Sequence, residues 1–332
     1  MTSAGSLPAM LLSGFGNRGR LWHEEIRRSG LFRLTGVVDP QPAAMEEAAG
    51  AGIAAWPDID RALEAGGFDG AIIASPPLEH VAQSLACLRA GLGVLIEKPL
   101  APSVADGREV AAAAAGAGLP ALVVQNFRFR PRELSVRKAL TEGSIGEAVA
   151  TTIASVWPPP GVNRPQHDKD QGKLWDACLH HIDSLRVRFG GAPATVRCEM
   201  GSRSGYGDDW SLSAVMDWEA GPRAVYHHSE NSPGLFHYVE VLEGSRGTLT
   251  IQDETVTMWL PGRRGKRVRP SKTPGENRVL LEAFGAGLRG TPARELGIDD
   301  NLQTIATLEA MTLSAAERRE VKLSEVLAGD DG

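Results

Sequence analysis

Two adjacent residues of opposite charge, Glu97 and Lys98, directly follow an apolar run in the segment GVLIEKPLA, residues 93–101. The run Gly93–Ile96 is typical of a short buried strand, and Pro99 fixes the backbone just after the lysine. A lysine at a partly desolvated strand end can donate a hydrogen bond to a substrate oxygen and stabilise a developing alkoxide. The alternative is an exposed Glu–Lys pair on a surface turn. Lys98 is therefore a candidate catalytic and substrate-binding residue.

A glycine-rich turn near the N-terminus indicates a different kind of site. The segment LLSGFGNRGR has a GxGxxG pattern directly after an apolar run. Glycines permit a tight turn, and the helix that follows offers unpaired N–H groups to a pyrophosphate. The alternative is a glycine-rich turn without a ligand. The predicted cofactor contacts in this turn are Gly14, Phe15, Gly16, Asn17, Arg18 and Gly19.

An acidic residue follows the turn at the distance expected for a dinucleotide site. Asp39 stands twenty positions after Gly19, at the end of the second apolar run, in TGVVDP. A carboxylate there accepts hydrogen bonds from ribose hydroxyls and repels a 2′-phosphate, which favours NAD over NADP. NADP stays possible because Arg18 could lie near a phosphate. The alternative for Asp39 is a plain strand-to-helix cap.

The elements that must position these residues change in character along the chain. In residues 1–125, apolar runs at 9–13, 34–38, 70–74, 94–96 and 121–124 alternate with helical patterns, which predicts a parallel sheet with crossover helices. Residues 126–332 contain mostly strand-like runs, at 148–156, 194–199, 212–218, 224–228, 238–242 and 248–251. Helical patterns are expected at 131–141, 176–189 and from 276 onward. The prediction is a dinucleotide-binding α/β domain, a doubly wound parallel sheet, followed by an α+β domain with a large open, mostly antiparallel sheet.

Ligands of a doubly wound sheet bind outside the carboxyl ends of its strands. The segments ASPPLEH and EKPL each follow a predicted strand, so both should lie on the same edge as the glycine turn. Ser75, Pro76 and His80 are expected to face the cofactor, with Glu97 and Lys98 near its reactive end.

Composition restricts the class of protein. The chain has 332 residues, with 35 basic and 41 acidic residues and a net charge of −6, which argues against a dedicated nucleic-acid binder. The basic run Arg263–Arg269 is expected to be an exposed hairpin or loop, solvated and not a nucleic-acid patch. There is no apolar run of eighteen residues and no leader-like N-terminus, so neither a membrane span nor secretion is expected. Cys87, Cys178 and Cys198 lack paired spacing, which favours a reducing, cytoplasmic setting.

The segment WDACLHHIDSLRVRF predicts a helix that carries acid–base groups. Asp176, His180 and Asp183 are spaced i, i+4 and i+7 and share one α-helical face, whereas His181 points elsewhere. Carboxylates can orient an imidazole that acts as a general base. The alternatives are a structural role for His180 or Asp183. A metal site formed by Cys178, His180, His181 and His167 is disfavoured because adjacent histidines diverge on a helix.

Six segments, GFGNRG, VVDP, SPPLEH, EKPL, QNFRFRP and DACLHHID, resemble in order and spacing the glucose–fructose oxidoreductase/inositol dehydrogenase/rhizopine-catabolism (Gfo/Idh/MocA) family. The resemblance implies a Rossmann domain and an open-sheet domain. It also implies a nicotinamide cofactor, a sugar or polyol substrate, and a homodimer or homotetramer.

The resemblance also implies roles for individual residues. Lys98 would act at the substrate hydroxyl, with a cis Lys98–Pro99 peptide among the implications, and His180 would take the hydroxyl proton. Asp176 would orient His180 or contact substrate, and Asp183 would bind substrate hydroxyls or support the helix. Asn126, Arg128 and Phe129 match the segment that lines the family's cleft, where Arg128 would hold substrate oxygens or form a salt bridge. Further residues that could line the cleft are Trp157, His167, Lys173, Tyr206, His228 and His237.

This sequence departs from the family pattern next to the acid–base residues. Cys178 stands where the family usually has glycine, and QGKLW replaces a glycine-rich lead-in, so the pocket should be reshaped. The expected function is an NAD(P)-dependent oxidoreductase of a sugar, inositol or related polyol. The alternatives are an NADPH-dependent reductase of a keto-sugar or other ketone, and a non-catalytic ligand-sensing regulator on the same fold.

Overall fold

The computed structural model describes residues 7–158, 174–201, 211–219, 221–232 and 234–328, and the chain divides into two compact units. The first contains the residues up to Asn126 together with 274–305, and the second contains 127–273 and the residues from 306 onward. The sequence-based division placed all of 126–332 in the second domain. The difference arises because the helix after residue 275 packs on the first unit, where the Phe284 and Phe32 ring centroids are 6.2 Å apart.

The first unit is built on a six-stranded parallel sheet of strands β1 to β6, in the order β3-β2-β1-β4-β5-β6. Strands β1, β4, β5 and β6 are buried along their whole length, as expected when helices cover both faces of a parallel sheet. The predicted doubly wound sheet is confirmed. Its strands are Ala9–Ser13, Arg33–Val38, Ala54–Trp56, Gly70–Ile73, Gly93–Ile96 and Ala121–Val123.

Helices α1 to α5 connect these strands, and several of them begin and end at the expected residue types. Asp58 and Ser103 accept hydrogen bonds from the backbone N–H three residues later, and Gly30 and Gly118 end helices in the left-handed conformation. The helices are α1 Asn17–Ser29, α2 Pro42–Gly50, α3 Ile59–Ala65, α4 His80–Arg89 and α5 Val104–Ala117. The later helices are α6 Pro131–Thr141, α7 Leu179–Phe189, α8 Glu276–Leu288, α9 Ile298–Glu317 and α10 Leu323–Ala328. In the described ranges, no helix is both long enough and apolar enough to cross a membrane.

The second unit contains a nine-stranded sheet in the order β14-β13-β12-β11-β7-β10-β9-β8-β15. Only the β7–β10 pair is parallel among its described pairs, so the predicted mostly antiparallel sheet is confirmed. Both outer strands have just two residues, and Lys266 and Arg267 form one of them, which discourages edge pairing. The strands are Ala148–Val156, Thr195–Gly201, Ser211–Asp217, Arg223–Ser229, His237–Gly244, Gly247–Gln252, Thr255–Trp259, Lys266–Arg267 and Val321–Lys322.

A buried ionic cluster fixes α7 against the sheet and against α6. Arg188 on α7 donates to Glu133 on α6 at 2.7 Å and to Glu240 on β11 at 2.6 Å. Tyr238 and Thr151 donate their hydroxyls to the same Glu240 carboxylate, at 2.7 and 2.9 Å. Each oxygen of the two buried carboxylates thus accepts at least one hydrogen bond, which offsets the cost of burying these charges. The cluster holds in place the helix that carries His180.

Candidate active site

The glycine turn between β1 and α1 depends on glycine at two positions. Gly14 has φ +86°, and a Cβ there would stand 2.6 Å from the Ala74 carbonyl oxygen; a Cβ on Gly19 would stand 2.0 Å from the Gly14 oxygen. Any larger residue would therefore push the turn away from β4 or away from α1. These close approaches allow α1 to start directly at the end of β1.

The first turn of α1 has the properties of an anion site. Gly16 is the N-cap and makes no side-chain capping bond, and a Cβ on it would meet nothing within 4 Å. Asn17 and Arg18 are exposed beside it, whereas Phe15 and Gly19 are buried. Uncapped N–H groups that face open space at a helix N-terminus can bind a phosphate. This part of the chain therefore fits a dinucleotide.

Asp39, which directly follows β2, stabilises the glycine turn by a hydrogen bond, whether or not a ligand is bound. Its Oδ2 accepts the Phe15 N–H at 2.7 Å, and its Oδ1 accepts the Gln41 N–H at 2.9 Å. The side chain is buried. Each carboxylate oxygen keeps a second lone pair, so acceptance from ribose hydroxyls remains geometrically compatible with these two bonds. The sequence predicted the ribose role and did not reveal the bond to Phe15.

Ser75 follows β4 and is joined to the end of β1 by a residue that the sequence analysis missed. Gln83 Oε1 accepts hydrogen bonds from both Ser13, at 2.7 Å, and Ser75, at 2.8 Å. Pro76 is exposed next to it. Gln83 lies on α4 among residues with no distinctive pattern, so no local signal could have identified it.

His80, predicted to face the cofactor, is buried, and each of its two ring nitrogens contacts a backbone carbonyl. Its Nδ1 lies 2.7 Å from the Pro99 carbonyl oxygen, and its Nε2 lies 3.0 Å from the Ser75 carbonyl oxygen. Burial lowers the pKa of His80, although the two carbonyl contacts raise it. His80 thus joins the loop after β4 to the loop after β5, beside the lysine.

Glu97 and Lys98 differ in their exposure. The Glu97 side chain is buried and turns toward α1, where Trp22 Nε1 donates to its Oε1 at 2.9 Å. Lys98 is half-buried, and the Lys98–Pro99 peptide is cis, as the resemblance implied. The prediction that both charges lie near the reactive end of the cofactor stays a prediction. Glu97 supports the loop, and Lys98 is the member of the pair that is accessible.

Two polar residues after β6, Gln125 and Asn126, have buried side-chain atoms with no partner in the described part of the chain. The Gln125 amide and the Asn126 Oδ1 are buried and have no hydrogen-bonding partner among the described residues. Buried polar groups rarely stay unpaired, so these atoms are candidates to bind water or a ligand. Asn126 was predicted from the resemblance; Gln125, which lies two positions after the end of β6, was not.

In the second unit, His180 stacks on Phe127. The two ring centroids are 3.9 Å apart and the planes are nearly parallel, at 5°, and the Arg130 guanidinium lies 3.2 Å from the centroid of the same phenyl ring. His180 is 7% exposed. Phe127 therefore restricts the orientation of the imidazole, a role that the sequence analysis did not assign to it.

The predicted helix at 176–189 begins with a π-helical turn, Leu174–Cys178, which contains Asp176, and continues as α7. The prediction that Asp176, His180 and Asp183 share one face assumed α-helical spacing throughout. A π-turn has more residues per turn than an α-helix, so that spacing holds for His180 and Asp183 on α7 but not for Asp176. His181 points elsewhere, with its Nδ1 2.9 Å from the Tyr226 hydroxyl. Burial, followed by nearby positive groups, holds the pKa of His181 well below its ordinary value.

Arg128 and Asp183, both predicted to bind substrate, bind each other. Arg128 Nε and Nη2 donate to the two Asp183 oxygens at 2.7 and 2.6 Å. This geometry agrees with one of the two alternatives stated for each residue: a salt bridge for Arg128, and support of the helix for Asp183.

Trp157 lies at the end of β7 and is half-buried. Its indole N–H donates to Ser155 Oγ at 3.0 Å, and its ring centroid is 4.7 Å from that of Phe236. His228 is buried with Nδ1 3.3 Å from the same Ser155 oxygen, and His237 contacts Asp253 at 3.5 Å. His167, Lys173 and Tyr206, and the QGK of the QGKLW segment, lie outside the described residues. Within the described part of the chain, no group of three or more potential ligands could hold a metal ion.

Comparison with known proteins gives a consistent family. Residues 9–125 match the oxidoreductase family with an NAD-binding Rossmann fold, and residues 134–250 match the GFO/IDH/MocA C-terminal domain. Inositol 2-dehydrogenase of Rhizobium meliloti (strain 1021) is 26% identical over 328 residues, covering 94% of this chain and 98% of the relative. The 1,5-anhydro-D-fructose reductase of Ensifer adhaerens is 27% identical over 249 residues, covering 71% and 74%.

Among solved structures, an oxidoreductase from Agrobacterium radiobacter in complex with NAD⁺, L-tartaric acid and magnesium superposes with a TM-score of 0.85. The sequence identity is 20%, and the match covers 96% of this chain and 99% of that one. At this identity the likeness concerns the fold.

Proposed function

This chain belongs to the Gfo/Idh/MocA family of NAD-binding oxidoreductases, and on that basis we propose that it interconverts a hydroxyl and a carbonyl on a sugar, an inositol or a related polyol. One observation carries the proposal. Lys98 is a half-buried lysine at the carboxyl end of β5, on the sheet edge that also carries the glycine turn. Ligands of doubly wound sheets bind at that edge.

The residues of the first unit fit a nicotinamide dinucleotide. The uncapped first turn of α1 would hold the pyrophosphate, Asp39 would accept from ribose hydroxyls, and Asn126 with Gln125 would offer amide groups to the cofactor. Because a carboxylate repels a 2′-phosphate, we expect NAD to be preferred to NADP. When bound, the nicotinamide ring supplies the hydride acceptor or donor for the substrate carbon.

His180 would transfer the hydroxyl proton of the substrate, and Lys98 would stabilise the negative charge on the substrate oxygen. In the oxidative direction, His180 takes the hydroxyl proton, and in the reductive direction it returns that proton to the carbonyl oxygen. The Lys98 ammonium would donate a hydrogen bond to the substrate oxygen that gains negative charge, and so stabilise that charge. Asp176, in the π-turn before α7, would orient the imidazole or bind a neighbouring hydroxyl.

Two features support a hydroxyl-rich ring as the substrate. The relatives are named for an inositol and an anhydro-sugar. In the second unit, the Trp157 and Phe236 rings form an aromatic surface, and aromatic faces pack well against the C–H face of a sugar.

We further propose that the chain forms a homo-oligomer through the outer face of its nine-stranded sheet. One row of that face is Val215, Val225, Thr152 and Val241 on four adjacent strands, all exposed or half-exposed. A flat row of β-branched side chains suits pairing with a second copy of the same surface.

A turnover assay tests the proposed function. Purified protein with NAD⁺ is offered a panel of inositols, aldoses and anhydro-sugars, and the appearance of NADH is followed. Lys98→Ala should lower kcat about 10²–10³-fold, as loss of one oxyanion donor does, and leave NAD⁺ affinity within about threefold. Lys138→Ala, which removes an exposed lysine on α6, is the matched control and should change neither quantity. A Lys98→Ala protein that turns over its substrate as fast as the wild type would refute the role of Lys98.

A further inference from the structure

The Glu97 carboxylate connects the loop that carries Lys98 to helix α1. Trp22 Nε1 donates to Oε1 at 2.9 Å, and the Arg18 guanidinium lies 3.2 Å from each oxygen. The backbone N–H of Lys98 donates to Oε2, also at 3.2 Å. One carboxylate thus receives two donors from α1 and one from the residue that the proposed chemistry depends on.

The two partners on α1 differ in how strongly they constrain Glu97. Trp22 is 2% exposed and its bond to Glu97 is buried, so no water competes for either atom. The Arg18 side chain is 43% exposed, so solvent weakens its ion pair. Trp22 also has only two side-chain torsions, both restricted by packing. The buried indole N–H is therefore the contact that fixes the direction of the carboxylate.

The peptide units around Lys98 are held on both sides. Glu97 accepts the N–H of Lys98, and His80 contacts the carbonyl of Pro99 at 2.7 Å. A lysine side chain is long and flexible, so the direction in which it leaves the backbone is the part that the protein can fix. An oxyanion donor must be placed to within a fraction of an ångström to be effective.

We propose that Trp22 is a positioning residue for Lys98, which acts through the Glu97 carboxylate. This inference rests on the proposed function of Lys98, but its structural part can be tested without a substrate. Trp22 lies on the helix whose first turn would hold the cofactor phosphates, so the same rigid helix would place both the cofactor and the lysine. The competing explanation is that Trp22 only fills the core between α1 and the sheet.

Hydrogen exchange at the Lys98 amide separates the two explanations. Trp22→Phe keeps most of the ring packing and removes the N–H donor. We expect exchange of the Lys98 amide, measured by NMR, to accelerate about tenfold, because a bond to a carboxylate is weakened. Amides inside α1 and β5 should stay within about threefold of the wild type. If Trp22 only fills space, amides of α1 and β5 will accelerate as much as that of Lys98, or the Lys98 amide will not change; either result overturns the proposal.

A matched control exists in the second unit. Trp218 Nε1 donates to the Gly191 carbonyl at 2.8 Å, so Trp218→Phe removes an indole hydrogen bond of similar length whose acceptor is not Glu97. It should leave the Lys98 amide unchanged, and acceleration there would contradict a local mechanism. If Trp22→Phe does not fold, site-specific benzothienylalanine at position 22 keeps the shape of indole and replaces only its N–H.

The kinetic consequence is measured with whichever polyol of the panel is turned over. Trp22→Phe should lower kcat about tenfold, change KM and NAD⁺ affinity less than threefold, and have no further effect in a protein that already carries Lys98→Ala. Equal effects of Trp22→Phe in the presence and absence of Lys98 would overturn the proposal. If no polyol is turned over, the proposed function fails, whereas the exchange experiment still decides whether Trp22 positions Lys98.

Discussion

Arg128 and Asp183 form a bidentate ion pair inside the second unit, with N···O distances of 2.7 and 2.6 Å and side chains that are 3% and 1% exposed. The Arg186 guanidinium approaches the same carboxylate at 3.6 Å. The pair joins the segment that begins the second unit to α7, the helix of His180. For Arg128 the sequence left open substrate oxygens or a salt bridge, and for Asp183 substrate hydroxyls or support of the helix; the ion pair agrees with the second alternative for each, and substrate binding stays a prediction.

Removing one partner of this pair should destabilise the protein strongly. Asp183→Ala leaves the Arg128 guanidinium buried without its carboxylate, so we expect the free energy of unfolding to fall by about 3–5 kcal/mol. Urea denaturation measures this change. The control is Asp217→Ala, which breaks the exposed pair with Arg223 and should cost less than about 1 kcal/mol. An Asp183→Ala protein of nearly wild-type stability but with a greatly raised KM would identify Asp183 as a substrate ligand after all.

Asp39 should matter to cofactor binding in two ways, because its oxygens also accept the N–H groups of Phe15 and Gln41. Asp39→Asn replaces one acceptor by an NH₂ group that faces a backbone donor. We expect NAD⁺ affinity to fall by about tenfold or more without a compensating gain for NADP⁺, since the glycine turn loses its support. Calorimetric titration of both cofactors checks this.

The control for Asp39 is Asp58→Asn, because Asp58 caps α3 through the N–H of Arg61 and asparagine caps equally well. Both cofactor affinities should be unchanged in that variant. Tighter binding of NADP⁺ than of NAD⁺ to the wild-type protein would contradict the assigned role of Asp39.

What the sequence could and could not predict follows from the range of the interactions. Strands β1 and β7 were predicted with their observed bounds because a local apolar or alternating pattern specifies them. Strands β3, β14 and β15 were not predicted. Strand β3 has three residues, and β14 and β15, at the two edges of the second sheet, have two each, which is too few to show an alternating pattern. The GxGxxG pattern is likewise recognisable locally, but only Gly19 is required by a contact inside the turn; Gly14 is required by a contact with Ala74, which follows β4.

The site contacts that were missed join residues far apart in the chain. Trp22 and Glu97 are 75 positions apart, and Arg128 and Asp183 are 55 apart. From the sequence, Trp22 is an apolar residue on the buried face of a helix and Asp183 is a carboxylate near a histidine. Only the packing of α1 on the sheet, and of α7 on the start of the second unit, decides which partner each side chain meets.

Val225 should be required for self-association if the outer sheet face joins two copies. Its side chain is 41% exposed in the centre of the β-branched row. Val225→Lys places a charge that must be desolvated in the interface, so light scattering should give the mass of one chain, 35.3 kDa, in place of a multiple of it. Leu78→Lys, at an even more exposed apolar position in the first unit, should leave the mass unchanged. A Val225→Lys protein with the same mass as the wild-type oligomer would exclude this face.

The stability of the protein should fall in acid partly because of Glu240. Burial alone would raise the pKa of this carboxyl group, but the Arg188 charge and the donors Arg188, Tyr238 and Thr151 outweigh burial and lower it below the ordinary 4.5. The unfolded chain therefore binds a proton on Glu240 at a higher pH than the folded chain does. The stability that this group contributes is complete above the unfolded pKa and is lost as the pH falls through the folded one.

Glu240→Gln should consequently cost most at neutral pH and least in acid. We expect a loss of about 2 kcal/mol at pH 7, because Arg188 keeps Glu133 as a partner, and near-convergence of the variant and the wild type once the pH falls below the folded pKa of Glu240. Urea denaturation across this pH range gives both curves. Glu243→Gln, an exposed position on the same strand, should follow the wild-type curve throughout. If the difference between wild type and Glu240→Gln stays constant with pH, the stabilisation at this position comes from packing, and the ionised carboxylate contributes nothing to it.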